Sequence, residues 1–286
     1  MNDHTRRRVT LAQTLASVYA PHPEVACVVV GGSVARDLAD ARSDLELGVF
    51  WHSPPTDDDR AALLRAGHVR HPRSFPYFPD EDLWLDQGLV DDVRLDIIHR
   101  TVQGVEQGIE AVVTRGEWSV YALNALAVLQ YALPLTSMES LSGWRERIAV
   151  YPPVLRDAVI DAHLEPTPTV WLRQHVERGE WILLYERLVR DQKHLLMVLA
   201  ALNGVYLPHA EFKWLAALEA SLAWAPRDLT ARLAAVLSGP PREGVEVLHG
   251  LWEETYDLVA RHLPEVGQTA KARRWLNQLA APSVEP

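Results

Sequence analysis

The sequence predicts an α+β fold, in which a small mixed sheet is followed by an all-helical bundle. Two observations support this prediction. Within residues 1–100, short apolar runs with β-branched residues or strict alternation indicate strands, separated by glycine, proline and short helical patterns. After Arg100 the apolar spacing becomes helical, and proline and glycine mark the ends of successive segments. We therefore expect a sheet domain over residues 1–100 and a helical domain over residues 101–286.

Composition limits the classes of function. A chain of 286 residues with 48% hydrophobic content can form one large or two ordinary cores. Its net charge of −10 argues against a large nucleic-acid footprint, because affinity for a polyanion depends on Lys and Arg neutralising phosphates. The sequence has one cysteine, no apolar run long enough to span a membrane and no secretory signal pattern. We expect a cytoplasmic protein with no membrane partner and a neutral or cationic small substrate.

The first elements are a helix and a buried strand. Apolar residues recur at helical spacing over Thr5–Tyr19, and the prolines that follow end this helix. Val28, Val29 and Val30 form a continuous β-branched run, which indicates a strand buried on both faces. The two glycines that follow end the strand, since glycine adopts backbone conformations closed to other residues.

A turn suited to an anion follows this strand. Ser33 is predicted to cap a short helix after Gly31 and Gly32. Such a turn presents free backbone N–H groups and the positive end of the helix dipole, which favour an anion such as a phosphate. Arg36 adds a cation one turn later.

The second strand carries two carboxylates on one face. Side chains alternate along a strand, so Asp44 and Glu46 point one way, while Leu45 and Leu47 point the other. The Cα atoms of the two acidic residues should lie about 6.5 to 7 Å apart. Both could then share one or two hard divalent ions, which prefer oxygen ligands. The alternative is an ordinary surface strand with polar alternation.

Further elements complete the sheet. A helix is predicted over Asp57–Ala66 and a strand over His68–Phe75. The stretch from Leu83 to His99 predicts a hairpin that turns near Gln87 and Gly88. Its second strand alternates, and one face carries Asp92, Arg94 and Asp96. Asp96 could also form an ion pair with one of two neighbouring arginines, Arg94 or Arg100.

The motifs in the first hundred residues resemble a known superfamily. Gly32-Ser33 followed by Asp44-Leu45-Glu46-Leu47 resembles the nucleotidyltransferases built on the DNA polymerase beta core. The spacing of Gly32, Ser33 and Arg36, with Ser43 before Asp44, looks most like the kanamycin and related aminoglycoside nucleotidyltransferases. The resemblance implies a mixed-sheet core, Mg²⁺ as cofactor and a nucleoside triphosphate, ATP, as co-substrate.

The resemblance also implies roles for individual residues. Asp44 and Glu46 would bind the metal ions, and Asp96 would complete the metal site or act as the catalytic base, with Asp92 in reserve. The triphosphate would be bound by four residues of the turn and the second strand, namely Gly32, Ser33, Arg36 and Ser43.

The helical part contributes one further candidate. The stretch from Leu202 to Trp214 resembles a segment of bacterial nucleotidyltransferases with a helical second domain. In aminoglycoside adenylyltransferases a lysine of that domain reaches the nucleotide phosphates, which implies this role for Lys213, with Lys193 second. The alternative is a surface helix in which Phe212 and Trp214 are partly buried.

Helices are predicted at intervals through the rest of the chain, over residues 101–113, 119–132, 140–151, 153–164, 169–178, 181–202, 209–222, 227–237, 245–262 and 270–279. Asp191 and Gln192 interrupt the apolar stripe of the longest segment. They indicate either a polar cleft wall, which could recognise amino groups of an acceptor, or a satisfied structural hydrogen bond.

The leading hypothesis is magnesium-dependent transfer of a nucleoside monophosphate from a triphosphate to a hydroxyl of a small acceptor, with release of pyrophosphate. An aminoglycoside-like acceptor would make the protein an antibiotic-resistance enzyme. Two alternatives remain. One is a toxin-like or regulatory nucleotidyltransferase acting on tRNA or protein, which a local basic groove would favour. The other is a non-catalytic nucleotide-binding module, against which the intact carboxylates argue.

Overall fold

The computed structural model describes residues 1–266. Within these residues the chain forms two compact units, one made of Met1–Thr114 and Ser119–Val150, the other of Arg115–Trp118 and residues 151–266. The units thus divide the chain differently from the predicted domains 1–100 and 101–286, because three helices after Thr101 belong largely with the sheet. The domain boundary itself stays a prediction. The helix predicted over residues 270–279 lies outside the described residues.

The first unit contains a mixed sheet, which confirms the predicted α+β fold class. Its strands are β1 Val25–Val30, β2 Leu45–Trp51, β3 Arg70–Ser74, β4 Trp84–Val90, β5 Val93–Thr101 and β6 Leu133–Pro134. They lie in the order β3-β4-β5-β2-β1-β6. Strands β2 and β5 are parallel, and the other neighbours pair antiparallel. The predicted buried strand and both predicted alternating strands are present.

The helices of the first unit are α1 Asp3–Tyr19, α2 Gly32–Ala35, α3 Asp57–Ala66, α4 Val102–Arg115, α5 Val120–Tyr131 and α6 Glu139–Ile148. Apolar side chains from one face of β2 and β5 join side chains of α1 and α3 in a buried cluster. Leu45, Leu47, Leu95 and Ile97 belong to it and are fully buried. The opposite face of these strands is therefore the one on which polar side chains can meet a ligand.

The hairpin turn between β4 and β5 is not at the predicted position. The turn residues are Asp91 and Asp92, which both have positive φ angles, 46° and 60°. A two-residue hairpin turn favours the left-handed conformation at both central positions, and Asp tolerates it. Gly88 lies inside β4, where a Cβ atom would come within 2.3 Å of Val69 Cγ1. This glycine permits close packing and does not form a turn.

One helix prediction needs correction, and one short strand was not predicted. The helix predicted over residues 209–222 is confined to α10, Leu215–Ser221, because Phe212 and Trp214 adopt positive φ angles that no helix accepts. Strand β6 was missed. It is two residues long and pairs with β1 through Leu133 and Pro134, and a proline at a sheet edge gives little sequence evidence of a strand.

The second unit contains α7 Pro153–His163, α8 Thr169–Arg178, α9 Trp181–Leu202, α10, α11 Leu229–Ser238 and α12 Pro241–His262. The interruption in α9 proves to be a structural hydrogen bond. Asp191 is 0% exposed, and its Oδ2 accepts from the Thr167 backbone N–H at 2.8 Å. Its Oδ1 accepts from Arg190 at 3.0 Å. Asp191 is therefore not a cleft wall available to an acceptor. Among the described helices, none has the length and apolar composition of a membrane span.

Candidate active site

The three predicted metal ligands lie together on the open face of the sheet. In the parallel pairing of β2 with β5, Glu46 is the register partner of Asp96. Both side chains are only partly buried, while their strand neighbours Leu45 and Leu95 are fully buried. Asp44 precedes β2 by one residue and carries its carboxylate on the same face, where it meets Arg94 of β5. The structure thus brings Asp44, Glu46 and Asp96 to one end of the parallel strand pair.

Asp44 is held by a weak ion pair. Arg94 Nη2 lies 3.4 Å from Asp44 Oδ2, and the Arg94 side chain is 71% exposed. An exposed pair of this kind contributes about 1 kcal/mol or less. A divalent ion could replace the guanidinium at little cost in stability. From the sequence, Arg94 was one possible ion-pair partner of Asp96, but in the structure Arg94 pairs with Asp44.

Asp96 has a different environment. Its Oδ1 accepts a hydrogen bond from Gln87 Nε2 at 3.0 Å. Burial raises the pKa of Asp96, the Gln87 hydrogen bond opposes this rise, and the negative charge of Asp44 adds to it. Arg100, the other arginine considered as an ion-pair partner of Asp96, donates to the backbone oxygens of Glu81 and Asp82. A carboxylate with a raised pKa is a better proton acceptor, which suits the role of a base.

The glycine turn is in direct contact with Glu46. Gly32 has a φ of +57°, and a Cβ atom built on it would lie 1.4 Å from Glu46 Oε2. The Gly31 backbone N–H also donates to the Glu46 backbone oxygen at 3.0 Å. Only glycine can occupy position 32 while the Glu46 carboxylate keeps this place. The turn and the acidic strand therefore form one structural feature.

Replacement of Gly32 is expected to disturb both backbone and carboxylate. Gly32→Ala forces an L-residue into the left-handed region, which costs about 1 to 2 kcal/mol, and displaces the Glu46 side chain as well. Gly31→Ala is a matched control, because its Cβ would meet Val128 Cγ1 at an ordinary 3.6 Å. Urea denaturation should show a lower midpoint for Gly32→Ala than for Gly31→Ala. Equal midpoints would contradict the close contact.

The two serines predicted to bind phosphate, Ser33 and Ser43, have different local environments. Ser33 is the second residue of α2, and Gly31 occupies the N-cap position, so the predicted capping role of Ser33 is wrong. The Ser43 hydroxyl donates to Asp40 Oδ1 at 3.0 Å and accepts from the Asp40 backbone N–H at 2.9 Å. The Ser43 carbonyl accepts from the buried Arg8. These bonds fix the loop just before Asp44, and phosphate binding by either serine stays a prediction.

The predicted contacts of Arg36 and Lys213 with the nucleotide phosphates also stay predictions. The Arg36 guanidinium carbon lies 3.8 Å from the centroid of the Tyr131 ring on α5. Burial lowers the pKa of Arg36, and Tyr131 opposes this effect. Lys213 lies in a loop of the second unit, with its Nζ 3.6 Å from Glu211 Oε2. Lys193, the second choice, has its Nζ 5.6 Å from the Phe212 ring centroid.

The donor chemistry of the acidic cluster fits magnesium. Carboxylate oxygens are hard ligands, and Mg²⁺ commonly takes one or two of them together with substrate phosphates. In their described conformations, however, no three or more His, Cys, Asp or Glu side chains within residues 1–266 are arranged to hold a metal ion. Asp44 contacts Arg94 and Asp96 contacts Gln87 instead. Metal binding by Asp44, Glu46 and Asp96 therefore requires side-chain rotations.

A buried polar network, not predicted from the sequence, lies on the other face of the sheet. Trp51 Nε1 donates to His99 Nδ1 at 3.1 Å, so the His99 proton is on Nε2, which donates to Asp86 at 2.9 Å. Arg60 Nη1 donates to the other Asp86 oxygen at 2.8 Å. All four side chains are buried, which makes this network structural. The sequence feature that could have indicated this network is His99, which falls on the buried face of the alternating strand β5.

No family model matches the chain, and no curated protein matches it. Among solved structures, it is similar to a nucleotidyltransferase-like protein from Exiguobacterium sibiricum 255-15, with a TM-score of 0.42 and 14% identity. The similarity covers 90% of this chain and 78% of that chain. A similarity of this size does not establish a family, so a functional proposal has to rest on the site.

Proposed function

We propose that the protein is a nucleotidyltransferase, which transfers a nucleoside monophosphate from a triphosphate to a hydroxyl of a small acceptor. The observation that supports this most is the cluster of Asp44, Glu46 and Asp96 on one sheet face, with the Glu46 carboxylate packed on Gly32. Gly32, Asp44 and Glu46 also carry the resemblance to the nucleotidyltransferase superfamily, and that resemblance implies the role of Asp96. Two independent features, motif spacing and strand register, therefore point to the same face.

Each residue has a role in this proposal. Asp44 and Glu46 would hold Mg²⁺, which when bound would neutralise triphosphate charge. Asp96 would ligate the ion or accept the proton of the attacking hydroxyl, a role that its raised pKa favours. Gly32 and Ser33 would bind phosphate oxygens, and Arg36 would have to leave the face of Tyr131 or bind phosphate from that position.

The acceptor is proposed to be small and neutral or cationic. A net charge of −10 disfavours a polyanionic acceptor, because long-range repulsion slows its approach. Aminoglycoside-like compounds belong to the favoured class. ATP is the proposed donor. A protein or tRNA acceptor and a non-catalytic module are the alternatives that an assay has to separate.

The proposal predicts magnesium-dependent transfer from labelled ATP. The full chain is incubated with ATP and Mg²⁺, separately with an aminoglycoside panel, purified tRNA and a protein mixture, and the products are analysed by mass spectrometry. We expect a nucleotide-modified small acceptor, together with pyrophosphate, and no product when EDTA is added. Labelled tRNA or protein without a modified small molecule would contradict the small acceptor. Absence of both ATP binding and transfer would contradict the nucleotidyltransferase proposal.

A further inference from the structure

A transverse row of polar side chains crosses the open face of the sheet. Glu46 of β2 is the register partner of Asp96 in β5. Asp96 is opposite Gln87 of β4, and Gln87 is opposite Arg73 of the edge strand β3. Directly opposed residues carry their side chains on the same face. Since neighbouring strands lie about 4.8 Å apart, the row extends about 10 Å from Asp96 to the exposed Arg73.

The next row on this face is apolar. Gly48 is opposite Ile98, and Ile98 is opposite Leu85. The Phe75 backbone N–H donates to the Leu85 oxygen at 2.9 Å, which continues the row past the end of β3. These residues are partly exposed, and polar groups beside such an apolar surface are typical of small-molecule sites. Together, five residues form what we call the outer strip: Gln87, Arg73, Ile98, Leu85 and Phe75.

The outer strip and the glycine turn lie on opposite sides of the acidic pair. Strand β1, which leads into the turn, borders β2 on one side, and β5 borders it on the other. Nucleotidyl transfer is an in-line displacement, in which the attacking and leaving oxygens lie opposite each other. The acceptor oxygen bonds to the α-phosphorus, the bond from that phosphorus to its bridging oxygen breaks, and pyrophosphate leaves with the electron pair while Asp96 takes the hydroxyl proton. With pyrophosphate on the turn, this geometry favours an acceptor on the outer strip.

Arg73 is oriented for binding oxygen atoms. Its Cζ lies 4.5 Å from the Phe75 ring centroid, and such stacking orients the guanidinium plane. Two other arginines of this face, Arg70 and Arg94, form ion pairs with aspartates. Within residues 1–266, Arg73 forms no such pair. A guanidinium has five N–H donors and no acceptor, so it can bind hydroxyl, ether and carbonyl oxygens, and it repels an ammonium group, which also has only donors.

We propose that the outer strip is the acceptor subsite, and that the acceptor is a neutral polyhydroxyl compound of the carbohydrate class with no ammonium group at the end bound by Arg73. This inference rests on the proposed function. Of the neutral and cationic acceptors that the net charge of −10 allows, it selects the neutral one, because the local charge at this end of the row is positive. Gln87 donates to Asp96 through Nε2, and its amide oxygen can accept from an acceptor hydroxyl.

The test compares kanamycin with fully N-acetylated kanamycin, which has the same rings and no ammonium groups. The kcat/KM for transfer from ATP is measured with both, and with maltose and trehalose, in wild type, Arg73→Lys, Arg73→Glu and Arg65→Glu. Wild type and Arg73→Lys should prefer the acetylated compound by at least about fivefold, and Arg73→Glu should lose or reverse this preference. Arg65→Glu makes the same charge change at an exposed site on α3, which packs on the other face, and should behave as wild type.

A binding measurement separates this inference from the proposed function. The Nε–Hε resonance of Arg73 in ¹⁵N-arginine-labelled protein, assigned by its loss in Arg73→Lys, is followed as each compound is added, with and without Mg²⁺ and α,β-methylene-ATP. We expect a shift with the neutral compounds only.

Four results would count against one proposal or the other. With ATP bound, a preference for kanamycin, an unshifted Arg73 resonance, or equal preferences in Arg73→Glu and Arg65→Glu would overturn the inference and leave the nucleotidyltransferase proposal standing. A shifted resonance without ATP binding or transfer would reject the nucleotidyltransferase proposal and keep the outer strip as a carbohydrate site.

Discussion

Asp44→Asn is expected to abolish magnesium-dependent nucleotide transfer while the fold remains intact. The substitution removes one negative charge from the proposed metal site and keeps the shape of the side chain. Loss of a partner outside the ligand shell already costs about 10- to 100-fold in metal affinity or activity, so loss of a ligand should reduce kcat/KM by at least about 100-fold. Stability should change by about 1 kcal/mol or less, because Asp44 is paired with an exposed arginine.

Asp92→Asn provides the matched control. Asp92 lies on the β4–β5 turn, its side chain is 89% exposed, and it forms an ion pair with Arg70. It was the reserve candidate for the third carboxylate, but its place on the turn removes it from the row of Glu46 and Asp96. We expect unchanged transfer. Both variants are assayed with labelled ATP beside their circular dichroism spectra, and full activity in Asp44→Asn would contradict the metal-binding role.

The part of the site that depends on side-chain alternation along one strand could be predicted from the sequence. Alternation along a strand assigns each side chain to a face, so the shared orientation of Asp44 and Glu46 followed from two strand positions. The pairing of β2 with β5 brings in Asp96 across about fifty residues of chain. No local pattern specifies this register; the resemblance to a known core supplied the expectation.

Contacts between distant segments account for what the sequence did not reveal. Tyr131 lies in a helix far along the chain from Arg36, and no spacing rule links the two. Gln87 was assigned to a turn because it precedes a glycine, whereas the real turn uses two aspartates with positive φ. That error hid its pairing with Asp96, since register along a hairpin is counted from the turn.

The buried network was also not predicted, because its members come from distant segments of the chain, and we expect it to contribute to the stability of the sheet unit. Asp86 lies in β4 and His99 in β5, where each occupies a position buried among apolar side chains. Arg60 of α3 is buried beside them and also contacts the exposed Asp57. A polar group in such a position is stable only when every partner is present. The network therefore couples α3 to the two strands that carry Gln87 and Asp96.

Asp86→Ala is expected to destabilise the sheet unit by about 3 to 5 kcal/mol, because it leaves the buried Arg60 without its internal counter-charge and His99 without its acceptor. Asp86→Asn keeps a polar side chain there and should fall between wild type and Asp86→Ala. Asp57 is the other carboxylate partner of Arg60, and its side chain is 93% exposed. Asp57→Ala should therefore lower the free energy of unfolding by about 1 kcal/mol or less. The free energy of unfolding of each variant is measured in urea at pH 7.

The same carboxylate predicts how stability depends on pH. Burial alone would raise the pKa of Asp86, but the hydrogen bond from His99 and the charge of Arg60 contribute to lowering it below its ordinary value of 3.8. A lowered pKa means that Asp86 stabilises the fold fully above that ordinary value, and that this contribution disappears as pH falls through the lower, folded-state pKa. The stability difference between wild type and Asp86→Ala should therefore be constant from pH 7 to about pH 5 and shrink at more acid pH. A difference that persists undiminished at acid pH, or a cost for Asp57→Ala as large as that for Asp86→Ala, would show that the charge of Asp86 does not hold this network together.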